Sequence, residues 1–208
     1  MRKDMSLNNI PDRFLQKIRE AQEKQLEILD LSNDWDANDQ EKLTDIFPEF
    51  FELKQLKVLN FRYNKITNLP ESLTDLSNLR WLNLSGNQLT TISKSLTDLS
   101  NLRWLNLSGN QLTTIPESLT DISNLRWLNL ADNQLINAPE SLGHFSNLRG
   151  LDLSGNQLAT IPKYLVYISN LRWLNLSGNQ LTTILEYLTY LFNLKWLNLA
   201  DNQLTTIP

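Results

Sequence analysis

Seven times in this chain the same leucine pattern returns after 23 residues, its first leucine falling at Leu56, Leu79, Leu102, Leu125, Leu148, Leu171 and Leu194. No other feature constrains the fold as tightly. A fixed spacing of this size means a row of small supersecondary units, none of which can bury its apolar side chains alone, so neighbours must stack into a solenoid. Residues 72–92 and 95–115 are identical throughout, as recent duplication or design would leave them.

Within one unit, "LRWLNLS" sets Leu82 and Leu84 against Trp81, Asn83 and Ser85. That period of two predicts a short strand with one buried face, and each unit then supplies one strand of a parallel sheet. The asparagine that follows (Asn64, Asn87, Asn110, Asn133, Asn156, Asn179, Asn202) ends the strand at a bend, where a buried amide can bond backbone groups of its own and the adjacent coil. The return stretch "TTIPESLTDLS" is expected to bury Ile115, Leu119 and Ile122, with Pro116 fixing a turn. Proline recurs at 70, 139, 162 and 208, with Ser93 and Leu185 in its place elsewhere.

A weaker copy begins at Leu26, with Leu29, Leu31 and Asp34 at the asparagine position. Before it, Pro11 and Asp12 can start a helix carrying Phe14, Leu15, Ile18 and Ala21 on one face, and a second short helix is expected from Asp39 to Phe47, ended by Pro48. Residues 1–55 therefore read as a helical cap with a degenerate first repeat, and 56–208 as seven full repeats. No comparable cap is expected at the other end, which points to a longer protein or to a partner copy covering it.

The pattern LxxLxLxxNxL, in the longer form "LxxIPxxLxxLxNLxxLxLxxNxL", resembles the leucine-rich repeat family. It looks most like the 23-residue class found in Ras-group scaffold proteins and in the repeat arms of bacterial Roco GTPases. The resemblance implies an α/β fold: a leucine-rich repeat solenoid with a curved parallel sheet of about 7–8 short strands on the concave face and short helical or 3-10 turns on the convex face. It also implies a non-enzymatic module that binds a protein or peptide. The alternatives are the regulatory arm of a larger bacterial signalling enzyme of the Roco type, or a purely structural or designed array.

Little in the sequence offers chemistry. The one histidine, His144, falls on a convex turn, and there is no GxxxxGK[ST], GxGxxG or HExxH motif, so no catalytic residue, metal site or cofactor is expected. Asp34, Asp36 and Asn38 have the spacing of a calcium loop, but Asp39 stands where the turn needs Gly and Asp45 where a bidentate Glu belongs. They read as solvated acids, with Asp39 capping the next helix. The net charge of −4 is uneven: residues 1–55 carry 8 basic and 13 acidic side chains, and residues 56–208 carry 11 and 10. With no Lys/Arg cluster, no nucleic-acid partner is expected. Without cysteine, a leader-like run or a long apolar stretch, the expectation is a cytoplasmic protein that does not insert into a membrane.

The outward positions carry the functional question. Equivalent residues on neighbouring strands lie about 4.8 Å apart, so seven strands make a face roughly 30 Å long. One column reads Val58, Trp81, Trp104, Trp127, Gly150, Trp173 and Trp196, flanked by Asn60, Asn83, Asn106, Asn129, Asp152, Asn175 and Asn198. Lys57, Arg80, Arg103, Arg126, Arg149, Arg172 and Lys195 form a rim beside the tryptophans. Either the indoles cover one another with the arginines lying over them, or the ladder displays a binding surface. Five indoles each showing a third of roughly 200 Å² would expose about 330 Å², comparable with the largest apolar patch of an ordinary monomer. Gly150 should leave a notch between Trp127 and Trp173, with Asp152 beside it, for a basic or aromatic side chain of the partner. Tyr164, Tyr167, Tyr187, Tyr190 and Phe192 replace polar residues in the last two convex segments and mark a second interface, for a continuing domain or a homodimer partner.

Overall fold

The structure is a computed structural model and describes residues 10–183 and 186–205, without the side chains of residues 48, 49, 186 and 187. Leu185 and Pro208, two positions of the proline column, lie outside the described residues.

Eight three-residue strands form one parallel sheet in chain order: β1 Ile28–Asp30, β2 Val58–Asn60, β3 Trp81–Asn83, β4 Trp104–Asn106, β5 Trp127–Asn129, β6 Gly150–Asp152, β7 Trp173–Asn175 and β8 Trp196–Asn198. From β2 onward each Cα faces its counterpart 23 residues later, as with Leu82 and Leu105, so the sequence period is also the sheet register. The central leucine of each strand from β1 to β7 points into the core, where the side chains of the opposite wall meet it: Ile115, Leu119 and Ile122 are all buried. That wall is a series of 3-10 turns, at Glu71–Asp75, Glu117–Asp121, Glu140–His144, Lys163–Tyr167 and Glu186–Tyr190. Where Ser93 replaces the proline, one α-helical turn, Lys94–Thr97, stands instead.

Two asparagine ladders tie the coils together. In the predicted one, Asn87 Nδ2 donates to the carbonyls of Phe61 and Leu84 while its Oδ1 accepts from Ile66 N, and the arrangement recurs at Asn110, Asn133, Asn156, Asn179 and Asn202. The second ladder is formed by the asparagine that opens each "NLR" or "NLK" phrase. Asn78, Asn101, Asn124, Asn147, Asn170 and Asn193 each donate to a backbone carbonyl 24 residues earlier, at 2.7–2.9 Å.

The N-terminal helix spans Asp12–Glu23 and buries Phe14, Ile18 and Ala21 against the first coil. Three expectations for this region need correction. The helix expected from Asp39 to Phe47 is only a 3-10 turn, Asp39–Glu41. It stops because Leu43 is held in the coil's extended path: its N–H donates to Asn64 Oδ1, and its carbonyl accepts from Lys65 N. Pro48 then starts a separate turn, Pro48–Glu52, at the helical position that needs no N–H. The turn at Asp39 is capped by Asn38, whose side chain accepts from Gln40 N, while Asp39 pairs with Lys65 at 2.7 Å. The Lys65 ammonium holds the Asp39 carboxyl below its ordinary value. The first coil also reaches the ladder one residue early: Asn33, rather than Asp34, is buried there and donates to Asn64 Oδ1 at 2.6 Å.

Candidate binding surface on the sheet

The tryptophan column forms as the alternation requires, and it extends one strand further than expected, because Ile28 of β1 faces Val58 and is 61% exposed. The column is not one continuous stack. Trp81 and Trp104 lie face to face, 4.4 Å between centroids and 9° between planes, and Trp173 and Trp196 do the same at 4.4 Å and 1°. Trp127 leans across the intervening strand to meet Trp173 at 4.9 Å and 33°.

The notch expected at Gly150 is therefore closed. Gly150 is buried beneath the Trp127 ring, and a Cβ built there would lie 2.1 Å from Trp127 Cε3. The missing side chain accommodates the neighbouring indole, since a ring reaches further than one strand spacing. Among the described residues no ring contact joins Trp104 to Trp127, so the break in the ladder has moved to that step. Beside it lies a hollow of about 490 Å³ lined by Trp104, Asn106, Asn129, Asp132 and Arg62, whose guanidinium sits over the Tyr63 ring at 4.3 Å.

The arginines do not cover the indoles. Arg80, Arg103, Arg126, Arg149 and Arg172 are exposed, and among the described residues none makes a cation–π contact, an ion pair or a side-chain hydrogen bond. Lys57, at the head of the same rim, is paired at 2.5 Å with Glu27, one strand away. The asparagine column is half committed. Oδ1 of Asn60, Asn83, Asn106, Asn129, Asn175 and Asn198 accepts from the backbone N–H two residues on, capping its own strand. Because an N–H must point at oxygen, the amide orientation is fixed and Nδ2 faces away. Asp152 accepts from Ser154 N and Oγ at 3.0 and 2.6 Å, and from Asn175 Nδ2 at 3.5 Å. On β1 the same column holds Asp30, which accepts from Ser32 N at 2.9 Å, so both acids of the column are already engaged.

The convex aromatics divide into two places. Tyr167, Tyr190 and Phe192 are 69%, 61% and 85% exposed and flank a groove of about 600 Å³ floored by Ile168, Leu171 and Leu191. Tyr190 and Phe192 meet edge to face at 6.2 Å. Tyr164 is half-buried, lines a separate hollow beside Pro162, and carries the Lys163 ammonium 4.9 Å over its ring. The side chain of Tyr187 lies outside the described residues. Trp35, 75% exposed between Asp34 and Asp36, belongs to no column, and strand alternation gave no signal for it.

His144 is exposed on its turn, and among the described residues no group of three or more His, Asp or Glu side chains is placed to hold a metal ion. No described helix is long and apolar enough to cross a membrane.

A family model described as leucine rich repeat matches residues 38–89, 90–135 and 138–181, and a second of the same description matches 193–208. No curated protein matches the chain. Among solved structures, a leucine-rich repeat protein of Leptospira interrogans is 30% identical over 96% of this chain and 60% of its own, with a TM-score of 0.68. A chain in the crystal structure of PEPR1-AtPEP1 is 35% identical over 76% of this chain and 23% of its own, with a TM-score of 0.65. The chain thus spans less than two thirds of the length of either.

Proposed function

We propose a binding role for this chain, which belongs to the leucine-rich repeat family: it is a non-enzymatic module that holds a protein or peptide against the concave face of its sheet. Domains of this family are typically protein-binding scaffolds. The observation that carries the reading is the indole column beside a rim of arginines engaged with nothing else among the described residues. Trp and Arg are the residue types that dominate interface hot spots, and a face about 30 Å long matches an extended segment.

Trp104 and Trp127 flank the break in the ladder, so their faces there are not used up by stacking. In a panning experiment with a displayed random-peptide library, peptides recovered on the wild-type protein are expected to bind Trp104→Ala and Trp127→Ala about 30-fold more weakly, the size of a hot-spot loss. Peptides that bind both variants as well as wild type would place recognition elsewhere.

The groove between Tyr167, Tyr190 and Phe192 supports a second contact, which we assign to another copy of the chain. Phe192→Ser is expected to convert a dimer to a monomer in sedimentation equilibrium, because it removes the most exposed of these rings. A wild-type protein that stays monomeric at high concentration rules the contact out.

A further inference from the structure

The concave face is built almost wholly of hydrogen-bond donors. The rim supplies guanidiniums, which cannot accept, from Arg80, Arg103, Arg126, Arg149 and Arg172. The indole column supplies Nε1–H groups, and none of these has an acceptor among the described residues. The asparagine column has its oxygens turned to backbone N–H groups, so what it shows outward is Nδ2, without an acceptor at the half-buried Asn106 and Asn129. Of the carboxylates on this face, Asp152 is held by Ser154 and Asn175 and Asp30 accepts from Ser32 N, which leaves Asp132, at the edge of the hollow beside Trp104, against five rim guanidiniums.

A row of like charges at strand spacing is unfavourable by itself, because cations on adjacent strands repel. The chain shows what relieves it. At the first rim position the Glu27 carboxylate closes on Lys57 at 2.5 Å, and no acid does the same for the five arginines that follow.

We propose that the concave face recognises an acidic, extended polypeptide segment of a partner protein. Its carboxylates pair with the rim guanidiniums, and its main-chain carbonyls, unpaired in an extended strand, accept from the indole and asparagine N–H groups. The proposal rests on concave-face binding and adds the chemistry of the ligand. A polypeptide is favoured over nucleic acid because the repeats that carry the face hold 11 basic and 10 acidic side chains, far from the basic excess a dense polyanion needs, while one guanidinium per strand suits spaced carboxylates.

The test uses a fluorescein-labelled Glu-Ser repeat peptide, a matched Lys-Ser peptide and a single-stranded oligothymidylate, each followed by anisotropy on the full chain. The Glu-Ser peptide is expected to bind, to weaken by about tenfold on raising salt from ~50 to ~200 mM, and to weaken by about tenfold or more on Arg103→Gln combined with Arg126→Gln. The Lys-Ser peptide is expected not to bind. Both arginines are exposed and unpaired, so the variant should melt as wild type does, and circular dichroism checks this. The proposal is overturned if the Glu-Ser peptide does not bind, if the variant binds it as well as wild type, if the Lys-Ser peptide binds equally, or if the oligothymidylate binds more tightly. Its failure is separable from that of the parent reading. Library peptides that are lost on Trp104→Ala but are neutral and indifferent to the arginine changes would leave the surface standing and remove its acidic ligand.

Discussion

Replacing Asn110 by Ala is expected to lower the stability of the protein by about 3–5 kcal/mol, measured by urea unfolding. The side chain is 7% exposed and ties its own coil to the one before it. Its Nδ2 donates to the carbonyls of Leu84 at 3.0 Å, Leu107 at 2.9 Å and Ser108 at 3.3 Å, and its Oδ1 accepts from Leu89 N at 3.0 Å. Truncation strands one buried N–H and leaves buried carbonyls under-satisfied, at about 1–3 kcal/mol for each orphaned group. No smaller side chain restores both halves: Asp keeps the acceptor, loses both donors and buries a charge. Asn101→Ala is the control. It removes a single bond, to the carbonyl of Ser77 at 2.9 Å, in an exposed setting where water can replace it, and should cost less than about 1 kcal/mol. Equal losses at the two positions would show that the buried ladder does not lock the coils together.

The same asparagines show how far the sequence could be read. The buried ladder followed from a residue type, a spacing and the need to satisfy backbone at a bend, all of them local facts repeated seven times. The strand register followed for the same reason. What escaped were consequences of side-chain reach and of competition for a hydrogen bond. Strand alternation alone sets each side chain over its own strand, but an indole is longer than a strand spacing, so the missing side chain at Gly150 lets Trp127 fall sideways and moves the gap to Trp104. Spacing places the asparagines of the outward column beside the tryptophans, yet half of each amide caps its own strand end, as short polar side chains do wherever an N–H two residues on lies open. The helix expected after Asp39 lost to Asn64, which took the Leu43 N–H for the ladder. Even Arg103 and Arg126, placed on the rim by spacing alone, needed the structure to show that they bond nothing else in the described chain.

Phe50→Ala should cost about 3–5 kcal/mol and, more informatively, should shift the whole unfolding transition. Phe50 lies in the turn before the first full repeat and is completely buried, 6.3 Å from the Phe47 ring and edge to face with Phe61 at 5.6 Å and 79°. Phe61 follows β2 directly, so this aromatic cluster spans the boundary expected between residues 55 and 56. The apolar core runs through that boundary, from Phe14 and Ile18 of the N-terminal helix to Leu59, Leu82 and onward. In a stack stabilised by nearest-neighbour contacts, weakening one interface near an end either frays that end or lowers the cooperative unit as a whole, depending on how strongly the end is coupled. Continuity of the core predicts the second outcome: the near-ultraviolet signal of the stacked Trp81 and Trp104 rings and the far-ultraviolet signal of the N-terminal helix should fall together, at a lower denaturant concentration. An early loss of helix signal with the indole signal unmoved would mean instead that residues 1–55 are a detachable lid, and that the arginine-bordered face can stand without them.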